Sequence, residues 1–136
     1  MSARGTAPAA PPAPALPADA RVIAARLAGL FEADQKIVVA LNDAHRRLAA
    51  ANDQLWTDPV VDRLSVHGQI HRAFCAYQHA SERRRQLAVD VGELSQQLTE
   101  TLTAAGHTRE QARSANVHQL AAGTWRPAGN EQETQR

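Results

Sequence analysis

Four residues with soft-metal donor atoms, His67, His71, Cys75 and His79, follow one another at four-residue steps. On a helix an i, i+4 pair of histidine nitrogen and cysteine sulfur presents both donors to one zinc-like ion. Each such step turns about 40° beyond a full helical turn, however, so the four drift round the cylinder and cannot share one tetrahedral centre. At most two ligands come from this row. A structural site would need two more from another helix, where only His45 stands at a matching height. No carboxylate is placed beside them as a general base, and no glycine-rich phosphate loop occurs. The expectation is a chain that is not an enzyme and holds no cofactor, with these four residues as weak metal candidates on an exposed face.

A second chemistry is suggested by the run "SERRRQL" from Ser81. Arg83 and Arg85, together with Arg46, Arg47 and Arg72, form a band of guanidinium groups that could meet phosphates or an acidic partner. The band has no global field behind it, because 15 basic side chains against 14 acidic ones leave a net charge of +1. Nor does it have interleaved aromatics that would stack single-stranded bases, since aromatic content is 4%. A regulatory protein that associates with nucleic acid through this band is therefore the alternative reading, and generic affinity is the most the band would supply.

The elements that position these residues are helical. Alanine and arginine are abundant, Lys36 is the single lysine, and there is no stretch of about twenty apolar residues to span a membrane. Five of the seven prolines fall within residues 1–18, so that segment is expected to be a disordered Pro/Ala-rich tail. Its prolines interrupt every run that would serve as a signal peptide, which makes the cytoplasm the expected location. The single Cys75 forbids an internal disulfide and fits a reducing compartment.

From Asp19 to Trp56 there is no proline, and alternating steps of four and three carry a seam through Ile23, Leu27, Leu30, Asp34, Ile37, Leu41, Ala44, Leu48, Ala51 and Leu55. Asp34 is the polar member. On the outer face Glu32 with Lys36, and Asp43 with Arg47, stand four apart in acid-first order, each worth about 0.2–0.5 kcal/mol. A second seam runs through Ile70, Ala73, Tyr77, Ala80, Arg84, Leu87, Val91, Leu94, Leu98, Thr101 and Ala105. Here Arg84 is the charged member. Between the seams lies "WTDPVVDRLSVHGQ", in which Asp58 is a natural cap and Pro59 suits a first helical position. Helix two starts either at Pro59, running on through Gly68, or near His67 after a short separate helix. A short connection between two seams gives an antiparallel hairpin. If Leu55 stood opposite Ile70, Asp43 would face Arg83.

After Ala105, Gly106 should end helix two, Thr108 with Gln111 forms a capping box, and Asn116 starts a further turn stopped by Gly123 and Pro127. The wording "AGHTREQA" resembles the opening of a Cro/repressor-type helix-turn-helix, which would imply DNA binding by Ala104–Pro127. Between Ala112 and Gly123 there is too little chain for a turn and a full recognition helix. Ala112, Val117, Leu120 and Trp125 instead read as a small packing element. Trp56 at the turn is similar to the Trp of WXG-type hairpins, but Asp58 stands where that motif requires glycine.

The fold class expected is all-α: a long, coiled-coil-like antiparallel hairpin with a short C-terminal helix, comprising a tail at 1–18, a helical domain at 19–125 and a polar tail at 126–136. Beside the seam, Ala24, Phe31 and Val38 on helix one and Ala88 and Leu102 on helix two extend the apolar surface at the end away from the turn. Two helices cannot bury both a seam and a flank, so a second chain is expected to cover the excess. The function implied is a protein-protein interaction module, a homodimer with room for another helical protein as partner.

Overall fold

A proline-free chain with an apolar residue at every third or fourth position buries its stripe by winding into long helices. The computed structural model describes residues 15–127. Within them the chain is an all-α helical hairpin followed by two short helices: α1 at Ala18–Thr57, α2 at Arg63–Ala104, α3 at Arg109–Arg113 and α4 at Val117–Ala122. Residues 1–14 of the expected tail, and 128–136 of the C-terminal one, lie outside the described residues. Contacts divide the chain into two units, and α1 and α2 each contribute to both.

The hairpin unit comprises Gly29–Glu93. All the seam positions of α1 within it are buried or half-buried, and its buried core is Ile37, Ala44 and Ala51 against Val66, Ala73 and Ala80. The charged members of the two seams meet: Arg84 Nε donates to Asp34 Oδ1 at 2.9 Å, and Nη2 to Oδ2 at 3.4 Å. This pair sets the register and brings Leu55 opposite the beginning of α2 rather than opposite Ile70. Asp43 accordingly does not face Arg83, and pairs within its own helix with Arg47 at 3.0 Å.

The start of α2 also differs from both expectations. Pro59 sits in a turn, where Asp58 Oδ1 accepts the Val60 N–H at 3.0 Å. The helix begins four residues later because a second carboxylate, Asp62, accepts the N–H groups of Leu64 and Ser65 at 3.1 and 3.3 Å. From there it passes through Gly68 without a break. An interior glycine costs about 1 kcal/mol against alanine, too little to interrupt so long a helix once its apolar face is packed.

The terminal unit comprises, among the described residues, 15–28 and 94–127. Its core gathers Ala20, Ala24 and Leu27 of α1, Leu98 and Leu102 of α2, Ala112 of α3 and Leu120 of α4, all buried. At the end of α2, Gly106 takes φ 109° and the His107 N–H closes onto the Leu102 carbonyl at 3.1 Å, which turns the chain into α3. The expected capping box forms: Gln111 N–H donates to Thr108 Oγ1 at 3.1 Å, and Thr108 N–H to Gln111 Oε1 at 3.0 Å. Asn116 caps α4, accepting from His118 and Gln119 N–H. Pro127, assigned above to the polar tail, is buried, so the packed structure reaches at least that far.

Candidate interaction surface

The flank expected to await another chain is divided by the fold. Ala24 and Leu102 are fully buried, at 0% exposure, in the terminal unit that also buries Leu120 of α4. That corrects the expectation for the end of the flank away from the turn, where short helices α3 and α4 add enough apolar surface for the chain to cover itself. In the hairpin unit the flank stays open: Phe31 and Ala88 are exposed and Val38 is half-buried. Phe74, one position past the seam residue Ala73 as Phe31 is past Leu30, belongs to the same flank and is 48% exposed. In an antiparallel pair these corresponding positions lie on one side of the seam. Tyr77, nominally a seam residue, is also exposed, and with Phe74 and Ser81 it lines a shallow hollow on α2.

The opposite flank is different in character. Two open grooves between α1 and α2 lie along it, one lined by Arg47, Ala50, Gln54, Gln69 and Arg72, the other by Gly29, Glu32, Ala33, Lys36, Ala40, Ala76, His79 and Arg83. The arginine band is therefore not a single patch. Arg47 and Arg72 line one groove and Arg83 the other, while Arg46 and Arg85 line neither. Arg85 pairs with Glu82 at 3.1 Å on its own helix. Lys36, for which Glu32 was the expected partner, has no carboxylate within ion-pair distance among the described residues.

His67, His71, Cys75 and His79 are all exposed on α2. Cys75 Sγ lies 3.7 Å from His71 Nε2, the one contact in the row. Among the described residues no three His, Cys, Asp or Glu side chains are grouped to hold a metal ion. The drift of four-residue steps round the helix accounts for this.

Two further features lie outside both seams. Around the inter-helix turn, Trp56, Val60 and Leu64 are 82%, 88% and 84% exposed, with Asp53, Asp58 and Asp62 among them. The signal was the text "WTDPVV", whose large apolar residues fall outside both seams. The other is His107, which is 5% exposed with neither ring nitrogen hydrogen-bonded, its ring tilted at 60° to Trp125 with centroids 5.0 Å apart. Burial pushes its pKa below the ordinary 6.5, since an imidazolium there would be desolvated. Nothing in the one-dimensional pattern marked it, because it belongs to neither seam.

Neither α3, with five residues, nor α4, with six, has the length of a recognition helix, so the likeness to a helix-turn-helix ends at the capping box. No helix among the described residues is long and apolar enough to cross a membrane. Comparison with family models, curated proteins and solved structures finds no match to this chain.

Proposed function

We propose that this chain is a non-enzymatic helical interaction module that self-associates as a homodimer through the open flank of its hairpin unit. The observation that carries the reading is the poverty of that unit's own core. Four of its six buried apolar residues are alanines, Ala44, Ala51, Ala73 and Ala80, while the phenylalanines Phe31 and Phe74 stand exposed beside them. Full burial of an alanine removes far less surface from water than that of a phenylalanine, roughly a methyl group against 1.5–3 kcal/mol for the ring. Two helices closed on alanine thus lack the burial that offsets ordering so many residues. A second copy supplies it, because pairing one patch with itself satisfies both chains and converts two hairpins into a four-helix, coiled-coil-like bundle.

Phe31→Glu and Phe74→Glu test this reading separately. Each places a carboxylate on the flank without touching the seam, so the expected result is loss of the dimer with most helicity retained, read by sedimentation and circular dichroism. A mass unchanged by both substitutions contradicts it.

A further inference from the structure

We propose that the flank opposite Phe31 and Phe74 is a docking groove for an acidic amphipathic helix of another protein. Its lining carries four cations, Lys36 and Arg83 in one groove and Arg47 and Arg72 in the other, against a single carboxylate, Glu32. Of the four, only Arg47 has an ion-pair partner among the described residues, the exposed Asp43 one turn away, and such screened surface pairs exchange readily with a competing carboxylate.

The spacing of the cations selects a helical occupant. Lys36 and Arg47 are eleven residues apart on α1, and Arg72 and Arg83 are eleven apart on α2. Eleven residues make three helical turns, about 16 Å of rise, so the two cation pairs stand that far apart along the hairpin. A helix lying along the groove meets both with acidic residues at i and i+11, both on the face it turns toward the groove. Between the pairs the groove is lined by Ala40, Ala76 and His79, with Ala33 beyond Lys36 and Ala50 beyond Arg47, and the run of alanines lets a partner's backbone approach closely. Apolar residues of the partner at intermediate turns then rest on methyl groups, the usual helix-in-groove mode with small anchors.

Nucleic acid fits the same lining less well. No Phe, Tyr or Trp side chain lines either groove and His79 is the one aromatic ring along them, so unpaired bases have little to stack on. Four cations arranged as two separated pairs neutralise few phosphates of a duplex that carries one charge about every 1.7 Å. This inference is independent of the dimer, which uses the other flank and leaves the groove uncovered.

The test uses the full chain and a fluorescent synthetic helix with alanine and leucine on one face and glutamates eleven residues apart on it, alongside the same peptide with lysines for glutamates, and a generic DNA duplex. Anisotropy at physiological ionic strength should show saturable binding of the acidic peptide and none of the lysine peptide. Arg72→Glu with Arg83→Glu should weaken binding by about tenfold or more. Ala76→Leu, which keeps every charge but fills the floor, should weaken it as well. Circular dichroism checks that each variant stays helical. The same titration on Phe31→Glu should give unchanged affinity per chain, which separates failure of the groove from failure of the dimer. The proposal is overturned if the acidic peptide does not bind, if Ala76→Leu binds it as well as the parent chain does, or if the duplex binds more tightly than the peptide.

Discussion

Arg84 and Asp34, fifty residues apart in the chain, meet across the hairpin as the only charged members of their two seams within the unit, joined by hydrogen bonds of 2.9 and 3.4 Å. A charged residue at a seam position costs stability and rewards one register, because only one alignment pairs it. Both side chains are partly exposed, so the bidentate pair is worth about 1 kcal/mol at most. Asp34→Ala should therefore lower stability by about that amount in a denaturant titration. Replacing both residues by leucine should raise the denaturation midpoint, since two seam positions become apolar, while cysteine cross-links designed for the native register form less selectively. A double variant less stable than the parent would show that the pair contributes more than alignment.

The histidine at the C-terminal clasp gives a pH dependence whose sign is fixed by burial. His107 has its pKa lowered below 6.5 in the folded chain, so the unfolded chain binds more protons as pH falls through 6.5. The stability it contributes is complete above that value and is lost progressively below it. The charged and titratable groups on the surrounding elements are Asp19, Arg21 and Arg26 of α1, Glu100 of α2, Arg109, Glu110 and Arg113 of α3, His118 of α4 and Arg126. None hydrogen-bonds a ring nitrogen of His107. In a Trp56→Phe background, where Trp125 is the remaining tryptophan, mild acidification should shift its emission toward the red before the long helices lose circular dichroism. His107→Phe should remove that step, and an emission step that survives this substitution would assign the effect elsewhere.

Gly123 ends α4 at φ 78°, a conformation an L side chain adopts at a cost of about 1 kcal/mol. A Cβ there would also stand 3.1 Å from the Arg21 guanidinium carbon, a tight contact that requires the Arg21 side chain to shift slightly. Gly123→Ala should destabilise the terminal unit by about 1–2 kcal/mol, and Arg21→Ala in the same chain should recover part of the loss. Equal melting temperatures for the parent and Gly123→Ala would contradict this geometry.

The seams were legible in the sequence because period alone determines them. Every position from Ile23 to Leu55 at three- and four-residue steps is buried or half-buried, and the capping box of Thr108 and Gln111 forms as its spacing implies. Register was not legible. A heptad pattern is unchanged by a slip of seven residues, so only the cross-hairpin pairing of Asp34 with Arg84 distinguishes one alignment from the next. The start of α2 was missed for a local reason. Asp58 and Asp62 are both competent caps, and the choice between them depends on the turn geometry around Pro59. On the flank, Ala24 and Leu102 share their pattern with Phe31 and Val38. They are buried in the unit that also contains α3 and α4, whose placement is a tertiary fact that the heptad frame does not contain.

Cys75 is exposed on α2, with His71 Nε2 at 3.7 Å as its neighbour. Its thiol should react fully with a disulfide reagent in the folded state, without prior unfolding and with no loss of helicity. Chelator treatment should leave the melting temperature unchanged, since any structural metal would add its binding free energy to folding. A thiol that reacts only in denaturant would place Cys75 in an interface, and the flank assignment would have to move to that face.

Sedimentation equilibrium of the full chain in dilute neutral buffer bears most directly on the central claim. With Phe31 and Phe74 exposed beside an alanine core, the account expects a dimer mass at concentrations of about 10 μM, the range in which a modest apolar interface is populated. A monomer mass that persists at about 100 μM would contradict it, because the hairpin unit would then be stable without the burial it is proposed to need.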